Sequence, residues 1–163
     1  MEVNFIPDAI DLQLLDLLQT DAGLSNQALA ERVHVSPPTC LRRVRRLQDS
    51  GLIERQVALL QPDRLAALQG HGLSAIVEVA LDRQGAEQLD AFQARAVADA
   101  AVQQCWRVSP GPDFVLVVHT RDMPEYLALS QRLFTQDANV RNVKAFFATQ
   151  RAKFETKLAI THA

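Results

Sequence analysis

Ser36-Pro37-Pro38-Thr39-Cys40-Leu41-Arg42-Arg43-Val44-Arg45-Arg46-Leu47-Gln48-Asp49-Ser50-Gly51 is the stretch on which the reading of this chain turns. A capping-type residue followed by proline at the first helical position is a strong start signal, and glycine after the last turn is a stop. On a wheel of about 100° per residue with Val44 at zero, Cys40, Leu41, Leu47 and Gln48 lie within about 60° of it. Thr39, Arg42 and Arg46 fall on the far side beside Pro38 and Asp49, and Arg43 and Arg45 flank the apolar stripe. One face can therefore pack while the other offers guanidinium groups outward. A solvated helix would carry such charges too, but these arginines have no Glu at i±4 to balance them.

Upstream, Pro7-Asp8 opens a first helix with Asp8 as its cap and Ile10, Leu14, Leu17 and Leu18 on one face. It ends near Asp21-Ala22-Gly23. Ser25 caps a short second helix in which Leu29 and Val33 are one turn apart, and His34-Val35 makes the turn into Ser36. Helix, turn and basic helix in this order give the spacing of a helix-turn-helix, whose second helix enters the major groove. In that reading Thr39 and Arg42, with Pro38 beside them, face the bases. Arg43, Arg45 and Arg46 neutralise phosphates, and Ser36 sits at the entry to the helix.

Charge distribution supports the same conclusion. The 163 residues carry a net charge of −2, which says little about a polyanionic partner. Residues 1–31, however, hold six acids and no Lys or Arg, whereas residues 32–55 hold six arginines against Asp49 and Glu54. The basic excess sits in one short segment, and local potential governs binding to polyanions.

Downstream, Leu52 to Leu60 reads as extended and Pro62-Asp63-Arg64 as the start of a short helical linker. Leu73 to Leu81 alternates apolar and polar residues, as a half-buried strand does. Gly85 to Ala100 is helix-like, with Leu89, Phe92 and Ala96 at helical spacing. Val102 to Ser109 and Asp113 to Thr120 read as strands, Met123 to Phe134 as a helix and Val140 to Ala148 as a last strand. The order β-α-β-β-α-β is the ferredoxin-like arrangement. The chain is thus of α/β (α+β) class, with residues 1–52 a DNA-binding domain, 53–66 a hinge strand and linker, and 67–163 a second domain.

The stretch from Ser36 to Leu47, with Gly51-Leu52-Ile53 after it, Ala58-Leu59-Leu60-Gln61-Pro62 beyond and Lys153…Leu158-Ala159-Ile160 at the end, resembles the Lrp/AsnC (feast/famine) transcription regulators. The likeness covers nearly the whole chain. It implies an N-terminal winged helix-turn-helix and a C-terminal βαββαβ domain that forms homodimers, with assembly toward octamers common. It also implies a small effector, usually an amino acid, bound where subunits meet. The family carries Gly-x-x-Asp between the second and third strands of that domain. Here the stretch is Ser109-Pro110-Gly111-Pro112-Asp113-Phe114, with Asp113 in the Asp position and Pro110 in place of the glycine, which removes an amide donor. Asp113 would serve the effector's ammonium group or cap its own loop. Gln136 and Asp137, in the polar loop before the last strand, are further candidates.

Other classes are disfavoured. Cys40 and Cys105 cannot form a disulfide framework, and His34, His71, His119 and His162 show no metal-ligand spacing, so neither metal nor cofactor is expected. Cys40 reads as a small core residue. Trp106 reads as core or interface, on the same strand face as Val102 and Val108. No apolar run approaches the roughly 20 residues of a membrane helix, and Met1-Glu2-Val3-Asn4-Phe5 lacks a signal-peptide pattern, which points to the cytoplasm. One group of sirohaem decarboxylases shares the regulators' overall fold, and His119 and Arg121 would be their counterparts. An enzyme has no use for four arginines on a helix-turn-helix, so no catalytic activity is expected. An architectural DNA-binding protein without effector is the other alternative.

Overall fold

The computed structural model describes residues 5–70 and 72–161; the expectations for residues 1–4, His71 and His162 lie outside these. The chain forms two compact units, one of residues 1–59 and 153–163, the other of residues 60–152.

The first unit contains α1 (Ala9–Thr20), α2 (Asn26–Arg32) and α3 (Pro37–Asp49). Asp8 and Asp11 form a reciprocal capping box, each side chain accepting the other's backbone N–H at 3.0 and 3.1 Å. This satisfies amides that a helix start otherwise leaves open. Ser25 caps α2 by accepting from the Ala28 amide at 3.1 Å. The turn into α3 places His34 at φ 55°, a left-handed conformation that few non-glycine residues adopt. Leu14, Leu18, Leu29, Ala30, Val33, Cys40 and Leu47 form the core of this unit.

The first unit is completed by the end of the chain. The Gln19 side chain brackets the Leu158 backbone, accepting its N–H at 2.7 Å and donating to its carbonyl at 3.0 Å. Lys157 adds an ion pair to Asp16 at 2.9 Å. The tail of the second domain expected over 67–163 therefore lies with the first unit. The expected hinge strand is also absent, since residues 54–61 have no ladder partner among the described residues. A helix, α4 (Pro62–Gln69), follows and runs across the linker boundary expected at 66.

The second unit is a four-stranded antiparallel sheet of order β2-β3-β1-β4, built from β1 (Leu73–Leu81), β2 (Val102–Arg107), β3 (Phe114–Thr120) and β4 (Val140–Phe147). The helices α5 (Ala86–Ala98) and α6 (Met123–Ser130) cover one face. A π-helical turn over Gln131–Thr135 ends the second of them, where a continuous α-helix to Phe134 is expected from the sequence. Alternation in β1 and β3 puts Ala75, Val77, Val79, Leu81, Phe114, Leu116 and Val118 into the core, against Phe92, Ala96, Leu129, Leu133 and Phe134.

The opposite face is open. Pairing aligns Ile76 with Val117 and Phe146, and Trp106 with Val115. Ile76, Phe146 and Trp106 are 47%, 53% and 58% exposed. Trp106 is therefore not a core residue, and it does not share a face with Val102. The register slips between Val102 and Gln104, so Val102 pairs with buried Val118 while Trp106 faces out. A bulge reverses the side-chain alternation beyond it, which periodicity alone cannot foresee.

Candidate functional site

Helix α3 begins with Ser36 at the cap position, but its side chain makes no capping bond. Ser36 Oγ instead pairs with Thr39 Oγ1 at 2.9 Å. Pro37 and Pro38 have no amide hydrogen, so two of the first-turn donors are missing from the start. Asn26 of α2 donates to the Pro37 carbonyl at 2.9 Å and holds the two helices at this corner.

The residues that α3 buries are Cys40 and Leu47, with Arg43 and Val44 partly buried between them. The packing stripe is thus rotated from the one expected around Val44: Leu41 and Gln48 are exposed, and Arg43 lies on the inner side. Pro38, Leu41, Arg42, Arg45, Arg46 and Asp49 line the outer surface. Arg42 and Arg45 make no ion pair among the described residues, and both are exposed.

Arg43 and Arg46 are placed differently. Arg43 Nη1 donates to Asp8 Oδ2 at 2.7 Å and to Asp11 Oδ1 at 2.8 Å, with only 18% of its side chain exposed. Arg46 Nη2 donates to Asp11 Oδ2 at 2.7 Å while its guanidinium lies 4.3 Å from the Phe5 ring centre. Asp11 is fully buried and binds both arginines at once. The hydrogen bonds that Arg43 donates to Asp11 and Asp8 push its pKa further up, so it stays charged. The Asp11 backbone amide, and then Arg43, hold the Asp8 carboxyl below its ordinary range. Arg43 and Arg46 thus do have balancing acids, supplied by α1 and its cap rather than by their own helix. Asp11 is absent from the sequence-derived site, although a signal existed: Asp8 and Asp11 share the three-residue spacing of Arg43 and Arg46, with opposite charge.

In the second unit, both candidate effector loops lie at one end of the sheet, around the end of β1. Asp113 Oδ2 accepts the Leu81 amide at 2.6 Å, so one oxygen of this carboxylate caps the sheet's own backbone. The Asp82 amide donates to the Asn139 carbonyl at 2.9 Å, and Arg83 exchanges two further bonds with the Asn139 side chain. Asp137 pairs with Arg95 and also accepts the Asn139 amide. Ser109 and Gly111 are exposed on the neighbouring loop, where Gly111 has φ 125°. Phe114, expected at the effector site, is fully buried with its ring 4.8 Å from that of Phe92. Strand alternation turns it into the core, away from the loop that Asp113 ends.

Cys40 is buried, and burial pushes its thiol pKa up. His119 Nδ1 pairs with Ser74 Oγ at 2.9 Å, and Arg121 pairs with Asp122 at 3.2 Å, so neither converges on the other. No cluster of His, Cys, Asp or Glu among the described residues could hold a metal ion. No helix among them is long and apolar enough to cross a membrane.

Comparison with known proteins also divides the chain in two. Residues 7–54 match the winged helix-turn-helix DNA-binding family model, and residues 74–158 match the Lrp/AsnC ligand binding domain. The chain is 34% identical over 153 residues to the DNA-binding transcriptional activator DecR of Escherichia coli K12, covering 94% of this chain and 98% of that one. It is 36% identical over 153 residues to the leucine-responsive regulatory protein of Rhizobium meliloti, with 94% and 96% covered. A transcriptional regulator of Neisseria meningitidis, solved as its L-methionine complex, superposes with TM-score 0.82 at 27% identity over 96% of this chain and 99% of that one. The outward-facing basic helix and the sheet domain are those of a DNA-binding transcriptional regulator, and the chain belongs to the Lrp/AsnC family.

Proposed function

We propose that this protein reads palindromic duplex DNA as a homodimer and changes its DNA affinity on binding an amino acid or a closely related metabolite. The observation that carries the reading is the outer face of α3, where Arg42 and Arg45 are exposed and make no ion pair among the described residues while the helix is anchored from behind. Arg42 and Thr39, with Pro38 beside them, face the base edges. Arg45 and the Ser36–Thr39 hydroxyl pair hold phosphates on either side. Arg43 is assigned to holding the fold.

The open sheet face is the dimer surface in this reading. Ile76, Val117, Phe146, Val115 and Trp106 form a contiguous apolar patch that a second copy would cover. Dimers associate further, toward octamers, through the helical side, where Val97, Met123 and Leu127 are exposed. The effector occupies the sheet end built by Ser109, Gly111, Asp113, Gln136 and Asp137. An amino acid needs a cation for its carboxylate, and Arg83, exposed at the same end, supplies it. The L-methionine complex of the Neisseria relative supports this class of ligand. The protein acts in the cytoplasm and catalyses no reaction.

The test is selection of bound duplexes from a library with a randomised core, with wild type and Arg42→Ala, followed by titration calorimetry with the twenty amino acids. A palindromic motif that wild type enriches and the variant loses supports the DNA reading. No enrichment by folded wild type, with or without amino acids, overturns it. Absence of heat with every amino acid overturns the effector.

A further inference from the structure

We infer that Asp11, assisted by Asp8, is a specificity-determining positioning residue: it withholds Arg43 and Arg46 from the DNA backbone and so keeps binding dependent on sequence. The inference rests on the DNA reading above. A carboxylate buried away from water must be paired, and here the pairing is saturated from one helix to another. Asp11 takes one guanidinium on each oxygen, from residues 32 and 35 positions later in the chain, at 2.8 and 2.7 Å. Its Oδ2 also accepts the Asp8 amide at 3.1 Å, so the carboxylate is held by α1 as well. Asp8 takes the same Nη1 of Arg43 at 2.7 Å, which leaves that arginine bridged between two acids. Arg43 Nε is buried with no acceptor among the described residues, a cost accepted where the guanidinium is fixed in place.

Two consequences follow for binding. The clasp sets the rotation of α3 about its axis, because Arg43 and Arg46 lie one turn apart and both reach the same carboxylate. That rotation is what turns Arg42 and Arg45 outward. The clasp also divides the basic helix into arginines that meet DNA and arginines that meet α1. Phosphate contacts raise affinity for every sequence alike, so each arginine kept from the backbone lowers non-specific binding without loss of base reading. The acids of α1 occupy the guanidinium groups as phosphates would.

The experiment compares wild type, Asp8→Asn, Asp11→Asn and Asp11→Asn/Arg43→Gln on two duplexes: the one enriched from the randomised library and a scrambled duplex of equal composition. Fluorescence anisotropy over a salt series gives the affinity ratio and the slope of log affinity against log salt. Asp11→Asn is expected to bind the scrambled duplex more tightly, with a slope steeper by about 0.9 for each released arginine that finds a phosphate. The ratio between duplexes falls, and adding Arg43→Gln returns part of the slope. Asp8→Asn, with its half-exposed carboxylate, shows the same direction to a smaller degree and covers the case in which Asp11→Asn does not fold. A purely structural role would weaken both duplexes equally through loss of folded protein, with slopes unchanged, and that result in both variants overturns the inference. A wild type that does not distinguish the two duplexes refutes the underlying DNA reading instead, and the inference with it, before any variant is measured.

Discussion

Arg42 and Arg43 are neighbours of identical chemistry, and the structure assigns them opposite consequences on removal. Arg42 makes no ion pair among the described residues and is exposed, so Arg42→Ala should change the stability of the free protein by no more than about 0.5 kcal/mol. Its loss is felt in the complex. A bidentate guanine contact discriminates by about 1–3 kcal/mol, or about 5- to 150-fold for each half-site. Arg43→Ala removes hydrogen bonds at 2.7 and 2.8 Å and leaves the fully buried Asp11 with Arg46 and the Asp8 amide. Breaking a wholly buried pair costs about 3–5 kcal/mol; because Asp8 is 52% and Arg43 18% exposed, about 2–4 kcal/mol is the expected loss here. With a urea m-value of about 1 kcal/mol/M for so small a unit, the unfolding midpoint falls by about 2 M or more. Far-UV circular dichroism follows the helices of both units while the sole tryptophan, Trp106, reports on the second, so a circular dichroism transition that the tryptophan does not share belongs to the first. Anisotropy on the enriched and scrambled duplexes gives the specificity ratio. Equal stability losses in the two variants would refute the assignment of partners, and an Arg42→Ala loss of equal size on both duplexes would make Arg42 a phosphate contact.

Three further outcomes are expected. Truncation after Ala152 removes the segment that Gln19 and Asp16 hold, and two net hydrogen bonds of about 0.5–1.5 kcal/mol each should be lost from the first unit, lowering its urea midpoint but not that of the second. Both units should lose stability in acid. Asp8 is held below its ordinary pKa of 3.8 by the Asp11 amide and Arg43, and Asp99 below the same value by Arg132. A depressed folded pKa gives stability that is present above about pH 4 and is lost as pH falls toward the folded value; Asp99→Asn should abolish the second unit's share in a urea series from about pH 6 to about pH 2. Phe146→Glu places a charge on the open sheet face beside Ile76 and should shift the protein to monomers in sedimentation, with Trp106 emission moving to longer wavelength; an unchanged dimer would place the interface elsewhere.

Much was legible in the chain because local rules act on it directly. Ser36-Pro37 and Gly51 bound α3, Asp8 and Ser25 cap α1 and α2, and alternation over Leu73–Leu81 marks β1 residue for residue, since capping and pleat depend on near neighbours. The basic, outward-facing character of α3 and the order of strands and helices follow from the same signals. What the sequence left open depends on residues far apart in it. The Phe146–Phe147 pair shows this: Phe147 meets Tyr126 edge-on at 4.9 Å on the helix side, while Phe146 faces out beside Ile76. A bulge reverses the side on which Trp106 lies, the last segment joins the first unit, and Phe114 fills the core instead of joining the loop before it. Above all, Arg43 and Arg46 belong partly to α1. An arginine's role is set by which acid reaches it in space, and Asp11 does so only once the chain between them has folded back.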